Sequence, residues 1–258
     1  MSSYKEIQFT ITDRVARIRF AHPPLNVFTI AMMKEIADAV NRAGKTRDVC
    51  GIVFSAAPPN KHFSAGVSVE EHRPETVYQM LEAFHSIFRS LNIVSKPVVA
   101  VVIGAALGGG CELASFADIV VAGQSARFGQ PEIKIGAFPP VAACVLPHVV
   151  GEKKAREMIL TGELLSADAA LKHGLVNYVV PDAEVEARAE ELLNALRGMS
   201  APALEMARRA IIQVSALAFD EALKRTEDIY LNQLMQLKDV QEGVEAFVAK
   251  RAPRWKHK

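Results

Sequence analysis

Lys96–Gly123, KPVVAVVIGAALGGGCELASFADIVVAG, is an apolar run, a glycine cluster, a single carboxylate and a second apolar run. Val98 to Ile103 reads as a buried strand, because short β-branched runs bounded by turn signals pack well inside sheets. Gly104 and then Gly108-Gly109-Gly110 lead into a helix beginning at about Cys111, and Asp118 returns the chain to a strand through Ile119–Ala122. Strand, loop, helix, strand is the α/β order, in which parallel strands place ligands at strand-to-helix loops. Glu112 is the one acidic residue between Lys96 and Asp118, and a carboxylate in such surroundings needs a reason.

The flanks repeat the order without a fixed sequence period. IQFTI and VARIRF alternate with period two around Thr12-Asp13-Arg14 and read as a hairpin. His22-Pro23-Pro24 ends regular structure, and Thr29 is a good N-cap for an amphipathic helix to about Arg42. Cys50–Ala56 is a buried strand, and Pro74–Leu91 carries apolar residues at helical spacing. Beyond about Gly198 strand signals stop. Three helical stretches follow, Ala201–Val214, Phe219–Gln236 and Lys238–Lys250, so the chain divides into a core over residues 1–197 and a helical region over 198–258. Apolar stripes such as Leu223, Tyr230 and Leu234 have no sheet left to cover and point to packing on the body or on another subunit. The terminal RAPRWKHK reads most simply as a frayed, solvated end.

Composition narrows the function classes. The 258 residues are 50% hydrophobic, and 30 basic against 29 acidic residues leave a charge of +1, so no global field favours nucleic acid or an anionic membrane. Cys50, Cys111 and Cys144 are odd in number and widely spaced, which suits a reducing, cytoplasmic setting. The N-terminal residues lack the basic and apolar regions of a secretory signal, and the apolar Pro97–Cys111 is shorter than the ~20 residues of a membrane span. Gly104 is followed by Ala105-Ala106-Leu107, which spoils a dinucleotide fingerprint, and no P-loop, GxSxG or HExxH string occurs. His62, His72, His85 and His148 have neither metal nor triad spacing and read as surface or satisfied core residues; Cys111 reads as a small buried residue.

Two more stretches bear on Glu112. FSAGVS (Phe63–Ser68) is a small-residue loop after a strand, able to offer the Val67 N–H. FGQPEIKIG (Phe128–Gly136) holds Glu132, 20 positions after Glu112, with Pro131 suited to a first helical turn. Two loop N–H donors and two carboxyls are the parts needed to polarise a carbonyl and move protons beside it.

FSAGVS, GAALGGGCELA and FGQPEIKIG, in this order and spacing, resemble the enoyl-CoA hydratase/isomerase (crotonase) family, and LTGELLSADAALKHGLVNYVV and EAFVAKRAPRW extend the likeness over nearly the whole chain. The resemblance implies a spiral of ββα turns with a helical C-terminal part that forms trimers, often paired as hexamers. It implies an acyl-CoA thioester substrate, coenzyme A being part of that substrate, with no separate cofactor and no metal. The thioester oxygen would sit between the N–H groups of Val67 and Gly109. Glu112 would serve mainly the water and Glu132 the proton transfer. Substrate contacts are implied at Ala65, Gly66, Gly108, Gly136, Phe138 and Pro139, and a coenzyme A contact at Phe247 and Lys250, across a subunit boundary.

The sequence departs from the family pattern at Ser68, where Asp is frequent, and at Ala137–Pro147, AFPPVAACVLP, where a glycine-rich segment is usual. The second departure, with both glutamates kept, resembles the branch acting on cyclohexa-1,5-diene-1-carbonyl-CoA. The alternatives are a linear short-chain enoyl-CoA hydratase, an enoyl-CoA isomerase, and a non-catalytic CoA- or RNA-binding protein of the same fold. Balanced charge argues against RNA, and retention of both glutamates against a dead site.

Overall fold

Residues 4–215 and 217–257 are described by the computed structural model. The hairpin forms as β1 (Ile7–Thr12) and β2 (Val15–Phe20), antiparallel, with Ile7 opposite Phe20. From β2 the chain climbs through α1 (Ile30–Lys45), β3 (Gly51–Ala56), α2 (Val77–Val94) and β4 (Val98–Val102). Thr29 caps α1 as its sequence demands, its Oγ1 accepting the Met32 N–H at 3.0 Å. Helix α2 starts three residues later than expected, because Thr76 Oγ1 donates to the Glu71 carbonyl and keeps Pro74-Glu75-Thr76 in a turn.

The glycine-rich segment then gives β5 (Ala105–Leu107) and α3 (Gly109–Phe116), and the chain continues through β6 (Ile119–Gly123) and β7 (Arg127–Gly129). Next come α4 (Pro140–Val150), α5 (Glu152–Thr161), β8 (Leu164–Ser166), α6 (Ala167–Lys172), β9 (Tyr178–Val180) and α7 (Val185–Arg197). Two sheets result. The larger runs β1-β2-β3-β4-β6-β9, parallel from β2 onward; the smaller runs β5-β7-β8. Each turn of the spiral therefore sends one segment to each layer. Where the second segment is too short to be a strand, single bridges stand in for it, Phe28 to Val67 and Ser64 to Ala106.

Alternation along the large sheet separates its two faces. Ile18, Phe54, Ala100 and Val120 face α1, α2 and α3, whereas Val53, Val99 and Val121 face Val185, Ala189 and Leu193 of α7. Burial on both faces is why these strands read as continuous apolar runs.

Three helices complete the chain: α8 (Ala201–Val214), α9 (Phe219–Asn232) and α10 (Lys238–Val248). Two ion pairs fasten α8 to the sheet side. Lys96 Nζ, almost wholly buried, meets Glu205 at 2.6 Å and the Val49 carbonyl at 2.8 Å, and Arg208 meets Asp118 at 2.6 Å. Residues Leu234–Gln236 form a separate 3-10 turn, and α10 ends at Val248, two residues before the expected Lys250.

Up to His257 the terminal stretch is not frayed. Trp255 Nε1–H donates to the Gly198 carbonyl at 2.7 Å. The buried Asp239 carboxylate accepts the N–H groups of Lys256 and His257 and the Ser200 hydroxyl. Glu242 of the same helix adds to the anchor, pairing with Arg251 and accepting the Arg254 N–H, and nothing in the sequence sets these two acids apart from surface ones.

Candidate functional site

The loops between the two layers enclose a cavity of about 530 Å³. One wall is Ala65, Gly66 and Val67; the base is Gly108, Gly109, Glu112 and Glu132; Met80, Leu81 and Phe84 of α2 supply an apolar side. The segment Gly136 to Pro140 closes the rim. Val67, Gly109, Glu112 and Glu132, together with Ala65, Gly66, Gly108, Gly136, Phe138 and Pro139, are thus brought into one place. Phe247 and Lys250 are not. Both are exposed on the C-terminal part, away from this wall, and Phe247 is 85% exposed.

Close approach of backbone and acid requires glycine at two positions of the site. At Gly66 (φ 104°) a side chain would stand 2.9 Å from the Leu107 carbonyl and 3.4 Å from the Gly109 nitrogen, so the two loops touch backbone to backbone. At Gly108 (φ 50°) it would stand 2.5 Å from Glu132 Oε1. The glycines make room for an acid and for a close pair of amides. Helix α3 begins at Gly109, earlier than the expected Cys111, so the Gly109 N–H is a first-turn donor with no partner inside its own helix. Among the described residues neither that N–H nor that of Val67 meets an acceptor. The Val67 loop is held by its neighbours instead. Ser64 Oγ donates to the Asn26 carbonyl and accepts the Gly66 N–H, while the Phe28 and Ser68 amides complete the bridge across.

Glu112 is 3% exposed. Its Oε1 accepts the Ala142 N–H at 2.8 Å, so a carboxyl from α3 caps α4. Pro139-Pro140 make this possible. Pro140 stands at the start of α4, where a missing N–H is an orphan in any case, so the prolines do more than stiffen a loop: they set the helix start that grips Glu112. Burial pushes the Glu112 carboxyl up to about 8, the Ala142 N–H opposing and the Glu132 charge adding to the rise. Glu132 sits in a 3-10 turn, Pro131–Ile135, that Pro131 begins and Gly136 ends. Burial raises it as well, with its own backbone N–H and the charge of His72 pulling the other way. Glu132 Oε2 is buried and has no hydrogen-bond partner. Two carboxyls thus face one apolar cavity, and burial disfavours the ionisation of both.

His72 is the residue the sequence reading misplaced. Expected on the surface or in the core, it lines the cavity at the end of the 3-10 turn Val69–His72. His62 has the structural role expected of it, its Nδ1 accepting the Ala105 N–H at 3.0 Å, and His148 is exposed. His85 is half-buried with Nε2 unpartnered, and burial lowers its pKa. Cys111 is fully buried and its thiol is pushed up to about 12, which makes it inert as a nucleophile. Among the described residues no group of three or more His, Cys, Asp or Glu is placed to hold a metal, and no helix is long and apolar enough to cross a membrane.

Comparison with known proteins follows this geometry. Residues 10–258 match the family described as Enoyl-CoA hydratase/isomerase. A cyclohexa-1,5-dienecarbonyl-CoA hydratase from Thauera aromatica is 32% identical over 242 residues, covering 94% of this chain and 93% of the relative. A short-chain-enoyl-CoA hydratase from Clostridium acetobutylicum is 30% identical over 243 residues, covering 92% of each. The solved structure of an enoyl-CoA hydratase subunit I from Geobacillus kaustophilus superposes with a TM-score of 0.91 at 30% identity, covering all of both chains.

Proposed function

The chain belongs to the enoyl-CoA hydratase/isomerase family, and from that premise we propose that it adds water to cyclohexa-1,5-diene-1-carbonyl-CoA, in the anaerobic breakdown of aromatic acids. It is an enoyl-CoA hydratase, a hydro-lyase acting on an acyl-CoA thioester. The observation that carries the site assignment is the pairing of two free amides with one buried and one half-buried carboxyl in one cavity.

In the proposed reaction the thioester oxygen lies between the Val67 and Gly109 N–H groups. Charge grows on that oxygen as water adds, so donors fixed at that point favour the enolate over the ground-state carbonyl. Glu112, which burial holds mostly protonated near neutral pH, acts through its ionised fraction and takes a proton from water as the oxygen bonds to the conjugated carbon. The electron pair moves to the thioester oxygen, and Glu132, protonated, returns a proton to carbon. A single proton on the pair suffices for both roles. For the cyclic diene the same water adds across the conjugated system. Coenzyme A arrives as part of the substrate, so the proposed scheme uses no further cofactor.

The rim supports a flat cyclic acyl group. Phe138 lines the cavity yet is 65% exposed, as a ring waiting for a partner would be, and Pro139 is buried behind it. A rigid ring loses less freedom in such a slot than a linear chain does. The expected kcat/KM is higher for cyclohexa-1,5-diene-1-carbonyl-CoA than for crotonyl-CoA, by the ~10-fold or more that shape discrimination supplies, and Phe138→Ala narrows the ratio. A wild-type ratio below one rejects the cyclic substrate in favour of a linear one; an unchanged ratio in the variant removes Phe138 from the account.

We further propose assembly into trimers or paired trimers through the C-terminal helices, with Phe247 and Lys250 reaching coenzyme A bound by a neighbour. Ile211, Phe219, Tyr230, Leu231 and Phe247 are exposed apolar residues on this part. Light scattering at micromolar concentration is expected to give three or six times the chain mass, and a monomer overturns the proposal.

A further inference from the structure

Ser64 is wholly buried and is bonded to both loops that carry the free amides. Its main chain runs beside β5, its N–H donating to the Ala105 carbonyl and its own carbonyl accepting the Leu107 N–H, each at 2.9 Å. Leu107 stands two residues before Gly109, and a side chain at Gly110 would lie 2.6 Å from the Ser64 carbonyl, so α3 starts against Ser64. The Ser64 side chain serves the other loop. Its Oγ donates to the Asn26 carbonyl at 2.7 Å and accepts the Gly66 N–H at 3.1 Å. A hydroxyl has one proton, and with that proton committed to Asn26 it is a lone pair that meets Gly66.

The Val67 N–H belongs to the peptide that begins at the Gly66 carbonyl. In a trans peptide the C=O and N–H point to opposite sides, so whatever holds the carbonyl aims the N–H. The Phe28 N–H holds it, at 2.8 Å. Gly66 (φ 104°) is the joint between this peptide and the one before it, and the Ser64 hydroxyl holds the one before it. With both planes bonded the Val67 N–H has one direction. With one bond lost the joint can turn, because glycine has no Cβ to resist it. Asn26 steadies the acceptor of the Ser64 proton. Buried at φ 50°, a conformation Asn tolerates, it accepts the His22 N–H and the Asn60 amide at Oδ1, each at 3.0 Å, and donates from Nδ2 to the His62 carbonyl at 2.8 Å.

We propose that Ser64 is a positioning residue for the two amides: its hydroxyl, oriented by Asn26, fixes the turn at Gly66 so that the Val67 N–H keeps a set direction and separation from the Gly109 N–H. The inference rests on the reading that these two N–H groups receive the thioester oxygen. Ser64 acts from behind the wall, which Ala65, Gly66 and Val67 form. Donors stabilise developing charge best when they are already aimed at it and need no reorganisation as the reaction proceeds. Loss of the hydroxyl therefore weakens the hold on the enolate more than the hold on the ground-state carbonyl.

The test compares Ser64→Ala and Ser64→Cys with the wild type, the thiol keeping a weak donor and acceptor in place of the hydroxyl. For crotonyl-CoA or the cyclic diene, whichever turns over faster, kcat is expected to fall about tenfold or more in Ser64→Ala, short of the roughly 10²–10³ that outright loss of an oxyanion donor costs, with KM changed by less than about threefold. Ser64→Cys is expected to lie between. The second readout is the infrared stretch of the thioester carbonyl in bound butanoyl-CoA, isotope-labelled at that carbon, which offers the carbonyl and has no double bond to hydrate. The wild type is expected to lower its frequency from that of the free thioester, and Ser64→Ala to lower it less. A variant that loses thermal stability but keeps both kcat per folded chain and the wild-type frequency shows a purely structural role and overturns the proposal. A wild type that binds butanoyl-CoA without lowering the frequency rejects the oxyanion reading itself, whereas a lowered frequency that Ser64→Ala leaves unmoved rejects only the role of Ser64. Should Ser64→Ala fail to fold, Ser64→Cys decides by the same two readouts, and wild-type values of both overturn the proposal.

Discussion

Glu112→Gln and Glu132→Gln are each expected to fold, to bind acyl-CoA with nearly unchanged affinity, and to lose about 10²-fold or more in turnover. That is the usual scale of general acid–base catalysis, and an amide has no proton equilibrium to offer in its place. Folding is secured by geometry. Gln at 112 keeps an oxygen for the Ala142 N–H, and Gln at 132 keeps the shape that fits over Gly108. The two losses do not add, because removing either partner already breaks the shared proton, and the double variant is expected to resemble the worse single one. Steady-state kinetics with a separate binding titration checks this. Near-normal turnover in either variant removes that residue from the mechanism.

The second large effect is on stability. A carboxyl whose folded pKa is about 8 against a reference of 4.5 binds its proton more tightly in the folded protein. The folded state therefore loses stability as pH rises from about 4.5 through 8, and above that the whole penalty is present. Gln is neutral throughout and escapes it. Glu112→Gln is expected to match the wild type near pH 5 and to exceed it at pH 9 by on the order of 4 kcal/mol, the neighbouring Glu132 making part of that a property of the pair. Urea unfolding at pH 5, 7 and 9, at one protein concentration, reads the difference. A gap that stays constant with pH shows that burial of the Glu112 charge costs the fold nothing. Activity and stability are then seen to pull in opposite directions at one residue, as strained functional sites do.

Much of this was legible in the sequence, for physical reasons. The strands β2, β3, β4 and β6 are long enough to show their burial, and Thr29 announces the start of α1. Glu112 stood out because a carboxylate among apolar residues is costly unless used. The smaller sheet was hidden, since β5, β7 and β8 have three residues each, too few to display a period of two. The grip of Glu112 on α4 was hidden as well. Its partner is a backbone N–H 30 residues away, and a backbone donor has no letter in the sequence. His72 lies in Val-Glu-Glu-His, which reads as an exposed charged turn; only the fold turns its last residue inward. The end of the chain misled for the opposite reason, because its basic residues suggest solvent while their backbone amides reach Asp239.

The grip on α4 also divides the rim into a part that is free to vary and a part that is not. Glu112 is held by the peptide nitrogen of residue 142, whatever side chain that residue bears, and by a helix that must begin beside Pro140. The side chains of 137 and 138 make no such connection. A library that randomises those two positions and leaves 139–142 alone would explore new acyl groups without disturbing the acid, and evolution has had the same route open: the pocket can change its customers while the machinery beneath it stays in place.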